Sequence, residues 1–98
     1  MTALRTKGFE IGKRLIHFDK HKIEHEWADQ FEYEMTADDF LTKQLTPSMR
    51  ECRRRRDGAL VRFDSSTGEF GILRSSNHIG TYLYMRHRGL EYFEKECR

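Results

Sequence analysis

Residues 61–72 read VRFDSSTGEFGI, and this stretch decides the fold of the chain. It contains two short runs with apolar and aromatic residues, separated by the polar residues Ser65-Ser66-Thr67-Gly68. Short extended runs divided by turn residues are typical of neighbouring antiparallel strands. The sequence therefore predicts a hairpin with strands at 59–64 and 69–74.

The same pattern continues on both sides of this hairpin. Upstream, Asp57-Gly58 follows an extended run at 49–56, and this dipeptide between two extended runs is a strong hairpin signal. Downstream, the polar residues 75–77 separate the hairpin from a last run at 80–86. We therefore expect four strands joined as an antiparallel meander.

Helical periodicity appears before and after the strands. Apolar spacing predicts an amphipathic helix over 10–27. Thr36, followed by acids typical of a first turn, predicts the N-cap of a second helix that continues to about Gln44, before Pro47. A short helix is expected over 90–95. The predicted fold class is α+β, with N-terminal helices packed on a twisted four-stranded antiparallel sheet and a short C-terminal helix.

Length and composition limit what this chain can form. A chain of 98 residues with 37% hydrophobic residues can bury one modest core, so we expect a single domain over 1–98. No apolar stretch approaches the roughly 20 residues that a membrane span needs, and no signal-peptide pattern is present. Cys52 and Cys97 lack metal-knuckle or redox-pair spacing; we expect two reduced thiols, with one disulfide as the alternative.

The net charge of +2 conceals an uneven distribution. Residues 19–39 contain eight carboxylates and two lysines, whereas residues 49–86 contain eight arginines and four carboxylates. A basic sheet is the electrostatic footprint of a nucleic-acid-binding protein, because arginine neutralises phosphates. The alternative is an arginine-rich strand that is only solvated.

Two histidines one helical turn apart mark the candidate site. Residues 17–21 read HFDKH, so His17 and His21 share a face of the first predicted helix, with Lys20 beside them. Imidazole titrates near neutral pH and an ammonium group can neutralise a phosphate. The group therefore suits acid-base chemistry on a phosphodiester.

The order of these motifs resembles bacterial ribonuclease toxin domains. It consists of the histidine helix, a second helix, the strand motif of residues 62–71 and a final strand with Thr81-Tyr82. These domains are grouped by fold with barnase, EndoU, the colicin tRNases and RelE. The chain is most similar to the colicin D type, which occurs at the ends of polymorphic and contact-dependent toxins, and the resemblance covers about residues 12–86.

The resemblance implies roles for particular residues. The catalytic histidine of the family corresponds to His21, and the hydroxyl residue of its last strand corresponds to Thr81. Leu83 stands where the family has an aromatic residue, although a tyrosine flanks it on each side.

The chemistry of such a site requires no metal and no cofactor. A general base removes the proton of an RNA 2′-hydroxyl, which attacks the adjacent phosphorus, and a general acid protonates the leaving 5′-oxygen to leave a 2′,3′-cyclic phosphate. His21 is the leading acid or base, and His17 is a possible second one. Because Phe18 stands where the colicin D type has its catalytic lysine, Lys20 or His17 would have to supply that charge.

Basic and aromatic side chains of the predicted strands are the candidates for substrate binding. Arginines can stabilise the charge of the transition state, and tyrosines can stack on bases or cover the core. Core packing is the expected role of at least one of the tyrosines. The candidates are Arg62, Arg74, Tyr82, Tyr84 and Arg86.

A zinc site is a first alternative, because His17, His21 and His25 recur at helical spacing. All three cannot bind one ion, since eight residues of helix span about 12 Å. A site with two histidines would need ligands from elsewhere, and the candidates are Glu24, Glu34 and His78.

A non-catalytic nucleic-acid-binding module on the same fold is a second alternative. It would share the charge asymmetry and the aromatic residues, so composition does not distinguish it from a nuclease. The two differ in chemistry, because a binding module would retain its function without His21.

Partners and location follow from the resemblance. RNA is the implied substrate, with tRNA favoured, and an acidic immunity protein is the implied partner. The immunity protein would cover the arginine-rich strand from Arg50 to Arg56, since opposite charge raises affinity and association rate. Such a domain would be delivered to, or act in, the bacterial cytoplasm.

Overall fold

The computed structural model describes residues 3–98, which form three helices and one sheet. The helices are α1 (Arg14–His21), α2 (Gln30–Thr42) and α3 (Gly89–Glu96), and none is long and apolar enough to cross a membrane. The strands are β1 (Met49–Arg53), β2 (Leu60–Asp64), β3 (Glu69–Leu73) and β4 (Ile79–Tyr84). The predicted α+β class, with its N-terminal helices and short C-terminal helix, is confirmed.

The sheet is the predicted antiparallel meander, with the strands in the order β1-β2-β3-β4. The turns fall where the sequence places them. Gly58 and Gly68 adopt φ values of +73° and +85° there, a region that side chains disfavour. A Cβ at Gly68 would also lie 2.9 Å from the Met85 carbonyl oxygen. Turn chemistry and strand pattern therefore agree along residues 49–84.

The prediction of one helix over 10–27 is wrong, because α1 ends at His21. The chain then turns, and the amide of Glu24 donates to the carbonyl of His21 at 2.9 Å. The turn allows Trp27 to enter the core, where it is 8% exposed. Burial of the indole and the bonds of the Glu24 side chain, described below, replace the helical hydrogen bonds that are lost.

The second helix also begins earlier than its predicted start at Thr36. Asp29 is the N-cap, and its carboxylate accepts hydrogen bonds from the amides of Phe31 and Glu32. Thr36 instead lies within α2 and donates its hydroxyl hydrogen to the carbonyl of Glu32. A carboxylate at the N-cap, where the amides have no helical partner, explains the earlier start.

Helices cover both faces of the sheet. On one face, α1 and α2 cover a buried cluster that includes Trp27, Tyr33, Phe40, Leu41 and Tyr82. On the other, α3 covers a second cluster that includes Val61, Phe63, Phe70, Ile72 and Phe93. Gly71 admits α2 closely, since a Cβ there would lie 3.0 Å from a methyl carbon of Leu41. The sheet is therefore the middle layer of the domain.

This layering corrects the expectation of a basic sheet face. Arg54, in the middle of the arginine run, is buried and forms ion pairs with Asp57 at 2.8 Å and with Glu96 at 3.2 Å. Its neighbours Arg53 and Arg55 are exposed, on the edge strand and in the turn that follows. The free positive charge of the arginine run therefore lies at the β1 edge of the sheet and not across a face.

The expectation of two reduced thiols is also wrong, because Cys52 and Cys97 form a disulfide. Cys52 lies on the side of β1 that faces α3, opposite Val61 of β2. Cys97 follows the last turn of α3, and the two Cα atoms are 5.9 Å apart. The bond thereby ties the C-terminal helix to the edge strand.

Removing this disulfide should destabilise the domain. The bond closes a loop across a sequence separation of 45 residues, so Cys52→Ser/Cys97→Ser should lose about 2–4 kcal/mol of unfolding free energy. Urea denaturation measures the loss. A reducing agent should lower the wild-type midpoint and leave that of the double variant unchanged; equal stability of the two proteins would show that the bond contributes nothing.

Candidate active site

The carboxylate of Glu24 joins the end of α1 to the edge of the sheet. One of its oxygens lies 2.7 Å from Nδ1 of His21, and the other accepts a hydrogen bond from the backbone amide of Tyr84 at 3.0 Å. His21 is buried, with 7% of its surface exposed. Both the ring and the carboxylate are therefore held in one arrangement.

This arrangement leaves the other ring nitrogen of His21 for chemistry. Within residues 3–98, Nε2 has no hydrogen-bond partner. It is nevertheless accessible to solvent. A carboxylate on Nδ1 fixes the ring orientation and compensates the positive charge of a doubly protonated ring. Nε2 can thus transfer a proton to or from a ligand.

His17 lies one turn earlier on α1, at a rise of about 6 Å. Its ring stacks on Phe9 with centroids 5.0 Å apart and is half-buried. Burial lowers the pKa of His17, and the positive charges of His21 and Lys20 lower it further. The ring is therefore neutral at neutral pH and suited to accept a proton.

Cations surround this histidine pair. Lys13 and Arg74 also act on His17 electrostatically, and both line a small pocket of about 70 Å³ with it. Gly80 makes room for the arginine, because a Cβ there would lie 3.2 Å from Nε of Arg74. Arg74 pairs with Glu10 at 3.3 Å, but both side chains are largely exposed, so the pair is weak. A phosphate beside His17 would meet several positive charges.

Of the predicted site residues, His17, Lys20 and His21 lie on α1, and Arg74 lines the small pocket beside His17. Thr81 is not among them. It pairs with Ile72, which lies in the cluster under α3, whereas the next residue, Tyr82, lies in the cluster under α1 and α2. Thr81 and His21 therefore face opposite sides of the sheet.

Arg62 and Tyr82 are not placed for substrate binding, which corrects both expectations. Arg62 is buried, and its guanidinium donates to Glu51 at 2.6 Å and to the carbonyls of Phe40 and Lys43 at 3.0 and 2.7 Å. Tyr82 is 0% exposed, as expected for at least one of the tyrosines, and its hydroxyl donates to Glu69. The first residue caps α2 and the second fills the core.

Tyr84 and Arg86 lie where β4 leaves the sheet, close to Glu24. Tyr84 is half-buried, and burial raises its pKa. The exposed guanidinium of Arg86 donates to the Glu24 carbonyl at 3.3 Å. These two predicted binding residues therefore contact Glu24, the partner of His21, and not the histidines of α1 themselves.

The zinc alternative requires three ligands that converge. Within residues 3–98, no group of three His, Cys, Asp or Glu side chains is placed to hold a metal ion. Glu24, a candidate ligand of that site, instead binds His21 and the backbone of β4. Its role beside His21 is the main one that sequence reasoning missed, and the spacing of three residues between the two is the signal that could have found it.

No protein-family model matches this chain, and no curated protein shows significant similarity to it. The geometry of the site and its residue pattern are therefore the basis on which a function is proposed.

Replacement of Arg62 tests its structural assignment. Arg62→Leu leaves the carbonyls of Phe40 and Lys43 without their donor, so the unfolding free energy should fall by about 3–5 kcal/mol. Arg50→Leu, at an exposed position of the neighbouring strand, should change it by no more than about 0.5 kcal/mol. Urea denaturation compares the two. If Arg62→Leu has wild-type stability but has lost RNA affinity, Arg62 binds the substrate and its structural assignment is wrong.

Proposed function

We propose that this protein is a metal-independent endoribonuclease in which His17 and His21 form the acid-base pair. The observation that carries the proposal is the contact of 2.7 Å between Glu24 and Nδ1 of His21, which leaves Nε2 free one helical turn along α1 from a second imidazole. Cleavage of RNA through its 2′-hydroxyl requires one group that accepts a proton and one that donates a proton, and an imidazole can do either.

The reaction proceeds in one displacement. His17 accepts the proton of the 2′-hydroxyl as the O2′–P bond forms. The P–O5′ bond breaks, and Nε2–H of His21 protonates the departing oxygen while Glu24 compensates the charge of the ring. The products are a 2′,3′-cyclic phosphate and a 5′-hydroxyl.

Cations near His17 stabilise the transition state. Lys20 is exposed and has no ion-pair partner within residues 3–98, so it can turn toward a phosphate. Arg74 can exchange its weak pair with Glu10 for a phosphate oxygen. Lys20 thereby supplies the positive charge of the family's catalytic lysine, whose position Phe18 occupies. Thr81 has no part in the reaction.

The resemblance to the colicin D type supports a narrower proposal. The substrate is tRNA, the protein acts as a toxin in the bacterial cytoplasm, and an acidic immunity protein binds it. The exposed arginines of β1 and the following turn, Arg50, Arg53, Arg55 and Arg56, would attract that partner.

Total bacterial RNA incubated with the protein in EDTA tests the nuclease. Wild-type protein should release discrete fragments that end in cyclic phosphate, resolved by gel and end-group analysis. Loss of either histidine removes a group that contributes about 10²–10⁴-fold, so His21→Gln and His17→Ala should slow cleavage by that factor. His21→Gln retains an N–H donor toward Glu24, which preserves the fold.

Thr81→Val is the matched control, since it removes the hydroxyl on the opposite side of the sheet and should cut at the wild-type rate. Wild-type rates in both histidine variants would refute the assignment. No cleavage by folded wild-type protein, with or without zinc or magnesium, would favour a nucleic-acid-binding module.

A further inference from the structure

An open groove of about 820 Å³ lies beside the His21–Glu24 pair, on the side where β4 leaves the sheet. The loop of residues 22–28 forms most of its lining, and Arg86 lines it from the other side. The reaction proposed above uses none of the aromatic residues of this groove.

Three aromatic side chains are packed together at this groove. The ring of His25 lies parallel to that of Tyr84, at 5° and 5.0 Å between centroids. Trp27 supports both, at 5.2 Å from His25 and 5.8 Å from Tyr84. Trp27 is buried and Tyr84 half-buried, but His25 is exposed. The face of His25 turned away from Tyr84 can therefore accept a further ring.

The ring of His25 has no hydrogen bond to any residue between 3 and 98, so its stacking contacts alone hold it. An exposed histidine that is supported only by aromatic rings is an ordered platform. Stacking on such platforms is how proteins bind unpaired bases, since every base has a π face.

The charges of the groove select a nucleotide over a simple anion. Lys22 and Arg86 can bind a phosphate, and Arg86 is held at the groove by the Glu24 carbonyl. The carboxylates of Glu24, Glu26 and Glu32 line the same groove and would repel a free anion. Glu24 is bonded to His21, and Glu32 accepts the amide of Ala28, so Glu26 is the one left within residues 3–98 to accept hydrogen bonds from the N–H groups of a base. A nucleotide fits both the cations and the carboxylates of the groove, because it combines a phosphate with a neutral ring that carries N–H donors at its edge.

We propose that His25, stacked on Tyr84, holds an unpaired nucleobase of the RNA substrate, with Arg86 at the adjoining phosphate. This inference rests on the proposed function, because it names how the same site holds its substrate. Glu24 lies between the platform and His21, so the bound base places its neighbouring phosphodiester at the histidines. The substrate is consequently single-stranded at the cleavage position.

A labelled 2′-O-methyl RNA octamer tests the platform, because it lacks the 2′-hydroxyl nucleophile and cannot be cut by the proposed reaction. Fluorescence anisotropy measures its affinity in EDTA. Loss of one stacked base weakens binding by roughly 5- to 100-fold, so His25→Ala should show a loss of that size. His25→Phe keeps an aromatic face and should bind within about 3-fold of wild type.

His78→Ala is the matched control, since this histidine precedes the opposite end of β4 and does not line the groove; it should bind like wild type. An octamer with abasic sites should bind wild-type protein as weakly as the intact octamer binds His25→Ala. Quenching of Trp27, the single tryptophan of the chain, should accompany binding of the intact octamer.

Wild-type affinity in His25→Ala, equal binding of the abasic octamer, or no saturable binding by wild-type protein would each overturn the platform. None of these results depends on cleavage. If the protein binds the octamer through His25 but does not cut RNA, the stacking platform is supported and the nuclease proposal fails. If His25→Ala cuts RNA as well as wild type, the nuclease proposal stands and the platform fails.

Discussion

The carboxylate of Glu24 makes two hydrogen bonds that together position the candidate site. One holds His21 at the end of α1, and the other satisfies the amide of Tyr84 at the edge of the sheet. An edge amide of β4 would otherwise face solvent or another chain. Because the same side chain closes the edge and orients the imidazole, the fold and the proposed chemistry depend on one residue.

The sheet, as the middle layer, decides which residues can act together. Side chains of β4 alternate between the two clusters, so Tyr82 belongs to the histidine side and Thr81 to the side of α3. Further along, Phe9 pairs with Ile79 and brings its ring under His17. The helix that carries both histidines thus packs beside β4, an edge strand of the sheet.

The sheet was predictable from the sequence because turn residues mark each of its boundaries, as at Asp57-Gly58 and Gly68. The end of α1 was not, because the burial of Trp27, a tertiary contact, ends the helical run early. The start of α2 depends instead on a local cap, Asp29, in place of the predicted Thr36. Arg62 looked like a substrate ligand, since nothing local shows that the carbonyls ending α2 come to meet it. The disulfide of Cys97 depends in the same way on how α3 packs.

The candidate site was predictable in part. The spacing of His17 and His21 was sufficient to place both rings on one helical face, but their environment came from distant segments. Phe9 and Arg74, which lie 8 residues before and 57 after His17 in the sequence, give that ring its burial and part of its positive surroundings. Sequence periodicity shows which side chains share a face of α1, but it cannot show that the segments of Phe9 and Arg74 meet that face.

The single-turnover cleavage rate of Glu24→Gln shows whether Glu24 holds His21 as the general acid of the reaction. Glutamine can still accept the Tyr84 amide through its oxygen, but its NH₂ group then faces Nδ1 of His21. Nδ1 then cannot carry a proton, so the ring cannot become the doubly protonated acid that donates from Nε2. The role assigned to Glu24 predicts a rate about 10²–10⁴-fold below wild type, with unchanged RNA affinity and stability. A Glu24→Gln protein that cleaves RNA at the wild-type rate would contradict it.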